Sequence, residues 1–371
     1  MGSSRSKPVR APEPRRKPEP EPEPEPEPVQ VPPLFDPPAS AARTRMLEPG
    51  YELWFGKPSL RGLFDDYFSQ VGSVKAGFML KMLEDPHVDL TATVAPTCGE
   101  AQLRWQSTLK LRSSIYSPKY GVGAFAALPL PLENSASLEE NGVVGLRYGS
   151  QNLSFGASFL PLLSANEAPS VVPYGAWLVG RLGGLSAGAQ YKPLSTPTGE
   201  SKHPFPFEDF KNWDYTISYG MGPASTLSPS FNCSLELLRS KQLVASFYQH
   251  QVVQRKVRWF DDAEEDTKIT NYIDFGLELA TSVGKDKPTD EADNSSLQIA
   301  ANWQANKNFL FKGKFGPSKS SVALAFKSWW KPLFTFSVTA VNDHSKGTTA
   351  YGFGIHVDDL RNPDSDTHLQ S

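Results

Sequence analysis

The motif that comes closest to catalytic chemistry in this chain is a serine inside a Gly-x-Ser-x-Gly pentapeptide. Residues Gly184–Gly188 match the nucleophile elbow of hydrolases, whose serine stands on a sharp turn between a strand and a helix. Here apolar residues occupy alternate positions through and beyond the motif, at Leu185, Ala187, Ala189 and Tyr191. Pro193 then leaves no room for the helix. Because this pattern indicates a strand running through Ser186, we expect no catalytic serine and no enzyme.

Residues that could hold a metal ion or a phosphate group are sparse. The chain has six histidines and two cysteines, Cys98 and Cys233, and none of them has the spacing of a zinc site. Asp261–Asp266 lacks the ordered alternation and the glycine of a calcium loop, and neither a P-loop nor a dinucleotide fingerprint is present. A net charge of −3 disfavours a nucleic-acid partner. We therefore expect no metal and no cofactor.

The strongest signal is an alternation of apolar and polar residues, which is typical of strands. Between Glu100 and Arg112 one face receives Ala101, Leu103, Trp105, Leu109 and Leu111. The other face receives Gln102, Arg104, Gln106, Thr108, Lys110 and Arg112, which is too charged for a dry core. About seventeen such runs follow one another between Ser73 and Asp358. Breaks between them fall at Pro86, Pro96 and Pro118 and at longer polar stretches.

Many of the runs last about nine to twelve residues, the length of a tilted strand that crosses a bilayer. No apolar run approaches the roughly 18 residues of a spanning helix. A membrane barrel does not need one, because only alternate residues face lipid. The alternation therefore predicts an all-β fold, a transmembrane β-barrel of about seventeen antiparallel strands with its apolar faces toward lipid.

Four regions follow from composition. Residues 1–48 form a Pro/Glu-rich arm that we expect to be disordered, with the repeat Pro18–Pro28 extended as polyproline II. Residues 49–72 form a helical segment, 73–358 the barrel and 359–371 a disordered tail. The arm could dock partners, either cytosolic or outer-membrane proteins, or it could simply be a solubilising tail. Gly2, with Ser6, fits an N-myristoylation pattern.

A single amphipathic helix is predicted from Leu60 to Val71. Its apolar face carries Leu60, Leu63, Phe64, Tyr67, Phe68 and Val71. The opposite face carries Arg61, Asp65 and Asp66, which we assign as a candidate gate if the helix lies in the lumen. A soluble helix packed onto a sheet is the alternative.

If the apolar faces meet lipid, the charged residues between them line a lumen. The basic set is Lys75, Lys81, Arg104, Lys110, Arg112, Arg147, Arg181, Lys312 and Lys314, and Lys192, Lys268 and Lys327 fall on the same faces. Acidic residues on the same faces include Asp89, Asp214, Glu236, Asp274 and Glu278. Bases outnumber acids, so a weak preference for anions follows.

The C-terminal segment Ala350–Val357 resembles the closing strand and sorting signal of the eukaryotic porin superfamily. That superfamily includes the voltage-dependent anion channel and the pore subunit of the mitochondrial outer-membrane translocase. Its sorting signal is a glycine preceded by a polar residue and followed by spaced hydrophobic residues. Gly352, Ile355 and Val357 fit this signal, whereas Ala350 stands at its polar position. The likeness covers roughly the last seventy residues, through Leu297–Trp303, Phe309–Lys314, Val322–Phe326 and Lys331–Ser337.

The resemblance implies a barrel of about nineteen strands, the number in the mitochondrial channel, with an N-terminal helix in the lumen. It implies a channel for small hydrophilic solutes, including metabolite anions, in the mitochondrial outer membrane or, alternatively, the plastid outer envelope. Gly145-Leu146-Arg147 is similar to a triplet that the family associates with nucleotide passage; an ordinary strand with Arg147 in the lumen is the alternative. The strand pattern also fits a protein-translocase pore, a non-conducting scaffold or lipid-handling barrel, and a soluble β-rich binding protein.

Overall fold

The fold comes from a computed structural model of the 371-residue chain. The structure describes residues 29–30, 50–68, 74–81, 88–98, 103–117, 119–130, 142–159, 174–192, 210–222, 228–257, 267–283, 296–328 and 333–358. Gly2, the rest of the predicted arm, the Asp261–Asp266 loop and the predicted tail 359–371 lie outside these ranges.

Two short helices precede the main run of strands. They are α1 (Gly50–Trp54) and α2 (Lys57–Phe64). Gly56 separates them with a φ of 68°, a left-handed conformation that favours glycine. Pro58 lies in the first turn of α2, where a missing N–H costs nothing. Asp65 follows the last helical residue, Phe64, and its N–H donates to the Arg61 carbonyl.

Eighteen strands lie in the described residues. They are β1 (Val29–Gln30), β2 (Val74–Lys81), β3 (Val88–Cys98), β4 (Leu103–Ser117), β5 (Val122–Leu130), β6 (Val143–Gly149), β7 (Leu153–Phe159), β8 (Tyr174–Leu182), β9 (Leu185–Tyr191), β10 (Trp213–Met221), β11 (Ser230–Leu238), β12 (Gln242–Val257), β13 (Thr267–Ser282), β14 (Ser296–Gln304), β15 (Phe309–Phe315), β16 (Lys319–Ser328), β17 (Leu333–Asp343) and β18 (Thr348–Asp358). The protein is therefore all-β in class, with few helical residues.

All the strands belong to one sheet of simple topology. From β2 to β18 each strand pairs antiparallel with the next along the chain, and β18 pairs in parallel with β2. β9 and β10 also pair, so every strand from β2 to β18 has a described neighbour on both edges. β12 and β13 extend beyond their neighbours, and the protruding part of β13 pairs with β1.

The two faces of the sheet have opposite chemistry. On β18 the large apolar side chains of Phe353 and Ile355 are 45% and 47% exposed, whereas on β17 Ser337 and Thr339 are 2% and 0% exposed. We call the side carrying Phe353 and Ile355 the apolar face and the side carrying Ser337 and Thr339 the polar face. Cross-strand register carries both faces around the sheet. Further exposed residues of the apolar face are Leu146, Phe155, Leu178, Ile217, Tyr219, Leu235, Phe275, Leu279, Trp303, Phe311, Val322, Leu324 and Phe336.

The helical prediction needs correction. The helix that we expected from Leu60 to Val71 starts earlier, at Lys57, and ends at Phe64. Asp65–Tyr67 form a turn with Tyr67 at a φ of 68°, which a continuing α-helix does not allow; Val71 lies outside the described residues. The short helix α1 was not predicted at all.

Two strand predictions also change. β3 runs through Pro96, where a break was expected, and ends two residues later at Cys98, so the missing N–H falls near the strand end. The arm, expected to be disordered, contains β1. Its residues stand in the short proline-free stretch Val29–Val31, where backbone N–H groups can join a ladder.

No helix within the described ranges is both long and apolar enough to cross a membrane.

Gly56→Ala should destabilise the fold. The added Cβ would lie 2.9 Å from Asn232 Nδ2 and would force an alanine into the left-handed region, at a cost of about 1–2 kcal/mol. The free energy of unfolding, from urea titration, measures this. Gly62→Ala is the matched control, because its Cβ meets only Asp66 Oδ2 at 3.5 Å and helix propensity improves. Equal effects of the two substitutions would contradict this role for Gly56.

Candidate functional site

The helical segment 50–68 lies on the polar face of the sheet, and its contacts define the candidate site. Tyr51 of α1 and Phe55, which directly follows α1, are both 0% exposed and pack together with Phe125, Trp177 and Val179. The wall makes room with glycine: a Cβ on Gly188 would lie 3.2 Å from the Phe55 ring. Polar-face positions of β5, β8 and β9 therefore form the seat of α1.

A buried polar cluster fixes the same helix. The Tyr51 hydroxyl lies 2.5 Å from Thr216 Oγ1 and donates to Glu236 Oε1 at 3.3 Å. Lys57 forms an ion pair with Glu236, and its Nζ lies 4.6 Å from the centre of the Tyr51 ring. Burial, and then the nearby Glu236 carboxylate, raises the pKa of the Tyr51 phenol well above its usual value. The phenol therefore stays protonated and remains a donor at any physiological pH.

The connection between the two helices is anchored by side chains of the sheet. Asn232 Nδ2 donates to the Phe55 carbonyl at 2.7 Å. Arg181 Nη2 donates to the Trp54 carbonyl at 3.4 Å, and the guanidinium lies 5.0 Å from the centre of the Trp54 ring. Arg181 Nε also donates to Ser186 Oγ at 3.0 Å. Asn232 and Arg181 thus satisfy carbonyls that α1 leaves without an intrahelical partner.

The second helix packs on a different part of the polar face. Leu60, Leu63 and Phe64 are buried with Ala300, and Tyr248 packs against them. Gly276 permits this approach, since a Cβ there would lie 2.5 Å from Leu63 Cδ2. The apolar stripe of α2 therefore faces β12–β14, where glycine and alanine leave a shallow seat in the wall.

Two lysines of β15 bind the carboxyl end of α2. Lys312 Nζ donates to the Gly62 carbonyl at 2.7 Å, and Lys314 Nζ donates to the Phe64 carbonyl at 3.0 Å. Lys312 is only 4% exposed, and its ammonium lies 4.7 Å from the centre of the Tyr67 ring. Farther along, Thr339 Oγ1 donates to the Tyr67 carbonyl at 2.9 Å. Positive charge beside the carbonyl end of a helix is favourable because these carbonyls carry partial negative charge.

A carboxylate beside α2 gathers three donors. Asp274 Oδ1 lies 2.6 Å from His250 Nδ1 and 3.0 Å from the Tyr248 hydroxyl, while Asn302 Nδ2 donates to Oδ2 at 2.9 Å. Ser59 of α2 is hydrogen-bonded to Tyr248. The network links the helix to three neighbouring strands. Its hydrogen bonds stabilise the charged Asp274 carboxylate on the polar face.

The register distributes the predicted lumen residues over the polar face. Arg112, Arg147 and Arg181 occupy polar-face positions on β4, β6 and β8, and Lys312 and Lys314 do so on β15. For the remaining four residues the structure gives the register position alone; they are Lys75, Lys81, Arg104 and Lys110, all at polar-face positions. Lys312, Lys314 and Arg181 are brought together with the helical segment.

The predicted gate and sorting residues are also placed. Arg61, Asp65 and Asp66 are exposed on the side of the helical segment away from its seat, and Arg61 pairs with Glu52. Ile355 lies on the apolar face with Val357, whereas Gly352 lies opposite Thr339 on the polar face.

Sequence reasoning missed α1 and its partners Tyr51, Lys57 and Asn232. A usable signal existed for the helix, because Tyr51, Trp54 and Phe55 recur at the helical spacing of three and four residues.

Ser186, the serine of the Gly-x-Ser-x-Gly motif, lies in β9, which continues to Tyr191 as a strand.

The sequence was compared with protein-family models and with curated proteins, and no match was found in either case.

Lys312→Met should loosen α2. Loss of a buried, charge-assisted hydrogen bond costs about 1.5 kcal/mol or more, which corresponds to at least roughly tenfold faster amide exchange in α2. Hydrogen exchange of Leu60–Phe64 in the folded protein measures the effect. Lys319→Met is the control, because Lys319 is exposed and 3.8 Å from Asp343, away from the helix. Equal exchange rates in the two variants would show that Lys312 does not hold the helix.

Proposed function

We propose that this chain is a transmembrane β-barrel that forms a pore for small hydrophilic solutes, with a weak preference for anions. The observation that carries the proposal is the inverted chemistry of the two faces of the sheet. In a protein surrounded by water, large apolar residues collect inside; here they stand exposed on the apolar face, while serine, threonine and lysine are buried on the other. Lipid is the solvent that such an apolar face fits.

Closure of the sheet is supported by the pairing of β9 with β10 and of β18 with β2, which leaves no edge among β2–β18 unpaired. An open edge in lipid would expose backbone groups that cost several kcal/mol each. The described residues supply seventeen strands to this ring, at the low end of the 17–19 that we expected. An odd number requires one parallel pair, and β2–β18 is that pair.

A pore, rather than a filled barrel, is supported by the charges of the polar face. Basic residues recur there on β4, β6, β8, β15 and β16, which a dry core would not tolerate without partners. The helical segment covers only part of that face in the described contacts, mainly β7–β9 and β13–β17. The proposal includes no catalysis, since Ser186 lies within a continuous strand and accepts a hydrogen bond from Arg181.

Location and family are inferred from the sequence. The resemblance of the last strands to the eukaryotic porin superfamily supports an outer membrane, mitochondrial or else plastid. Membrane lipid and small anionic solutes would be the partners, together with any protein that the arm recruits.

A non-conducting scaffold or lipid-handling barrel is the second candidate function. The observation that favours it is the helical segment, which is held on the polar face by Lys312, Lys314 and Glu236 and could leave too little free lumen. A translocase pore is a third candidate, and small helical partner subunits that copurify would support it.

Bilayer recording separates these functions. The refolded chain should give large, stable single-channel steps and a reversal potential of the anion-selective sign across a potassium chloride gradient. Removal of residues 1–71 should raise the conductance or abolish closure, because the helical segment occupies part of the lumen. Removal of residues 1–28 is the control, since it keeps both helices and should leave the open level unchanged. Silence from protein shown to be inserted would overturn the pore and favour the scaffold.

Leu324→Arg should impair insertion into bilayers. Leu324 is an exposed residue of the apolar face, and an arginine facing the bilayer midplane costs about 2–4 kcal/mol. Gln298→Arg, on the polar face of β14, is the matched control and should insert normally. The folded, protease-resistant fraction after refolding into vesicles measures both. Equal yields would argue against lipid contact at the apolar face.

A further inference from the structure

The charges of the polar face are sorted by sector. Four consecutive strands, β10–β13, carry Asp214, Glu236, Asp274 and Glu278 at polar-face positions. Two lysines, Lys256 and Lys268, also fall at polar-face register positions, where they pair with each other in the part of β12 and β13 that extends beyond β11 and β14, so the acids of these strands outnumber the bases by four to two. We call these four strands the acidic sector.

A second group of strands has the opposite sign. At polar-face positions β2 and β4 carry Lys75, Lys81, Arg104, Lys110 and Arg112. β3, between them, adds a single acid, Asp89, which the register places between Lys81 and Arg112. We call β2–β4 the basic sector.

The order of pairing puts the two sectors opposite each other. Going from β13 to β2 the ring passes five strands, β14–β18, and going from β4 to β10 it again passes five, β5–β9. In a closed barrel, sectors separated by equal numbers of strands on both sides lie across the diameter from each other. The acidic wall therefore faces the basic wall across the lumen.

The helical segment reinforces this separation. α2 packs on β13 and β14, so it lies on the acidic side of the lumen. Lys57 offsets one charge there through its ion pair with Glu236, the exposed Asp65 adds one negative charge, and Arg61 forms an ion pair with Glu52. The excess of negative charge on this side remains.

We propose that the pore carries a transverse electric field and that this field favours small zwitterionic solutes, those bearing an ammonium and a carboxylate, over neutral solutes of equal size. The inference rests on the proposed pore. A ring of one sign attracts one kind of ion and repels the other, whereas two opposed walls bind both ends of a zwitterion that turns to lie across the lumen. The overall excess of bases still sets the weak anion preference among simple ions.

The preference for zwitterions over neutral solutes is small because water fills the lumen of the proposed pore. Charges several ångströms from either wall, in a medium close to bulk water, interact by an amount comparable to thermal energy. We therefore expect a zwitterion to enter about twice as fast as its neutral isomer.

Liposome swelling with the full chain tests this. Alanine and lactamide are isomers, one zwitterionic and one neutral, and arabinose reports on the pore itself; rates in protein-free vesicles are subtracted. Alanine should swell the vesicles about twofold faster than lactamide, and the ratio should approach one in about 1 M salt, where the Debye length falls to about 3 Å. The salt measurement uses the unaltered protein, so it does not depend on any variant folding.

A charge-balanced variant tests the sectors. K110Q/R112Q/D214N/E278Q removes two charges from each sector and keeps the net charge, so the alanine-to-lactamide ratio should fall toward one. K319Q/D343N is the control, because it removes an opposed pair at the rim outside both sectors and should keep the ratio. A ratio of one in the unaltered protein, with arabinose entering, would overturn the field and leave the pore standing. Exclusion of arabinose would overturn the pore and the field together.

Discussion

Every backbone N–H and C=O in a strand needs a partner, and in lipid only a neighbouring strand can supply one. The proposed membrane barrel depends on that constraint. Consecutive strands from β2 to β18 pair edge to edge, and the parallel pair β2–β18 with the β9–β10 pair provides the last partners. With the backbone satisfied inside the sheet, side chains are free to separate, apolar on one face and polar on the other.

The helical segment supplies partners for side chains that this separation places on the polar face. Lysines that are shielded from solvent need acceptors, and the carbonyl end of α2 supplies them to the buried Lys312 and the half-buried Lys314. The aromatic side of α1 covers the few apolar residues on this face, Trp177 and Val179 among them. Side chains from both β7–β11 and β12–β17 hold the segment. Its position therefore depends on the arrangement of most of the sheet.

Sequence predicted the sheet far better than the site. A period of two is local, so the alternation near Trp105 or Phe353 identifies strands and faces without knowledge of their neighbours. The contacts of Lys312 with Gly62, 250 residues away, depend on register and on the path of the helix, and no local pattern contains either. The packing of α2 against Gly276 could not be predicted either, because a glycine in a strand can mark a bulge, a bend or a close approach of another segment. α1 was missed because the helical spacing of Tyr51, Trp54 and Phe55 covers only one turn of a five-residue helix, a weaker signal than the long alternation of the strands.

The most direct test of the central claim, that the apolar face meets lipid and the polar face does not, is a dye scan along β14 in vesicles. Single cysteines from Ser296 to Gln304, in a chain with Cys98 and Cys233 replaced by serine, would carry a fluorophore quenched by lipid-attached spin labels. Strong quenching should alternate, high at Leu297, Ile299, Ala301 and Trp303 and low at the residues between them. Uniform quenching, or none in protein shown to be bound to the vesicles, would contradict the account.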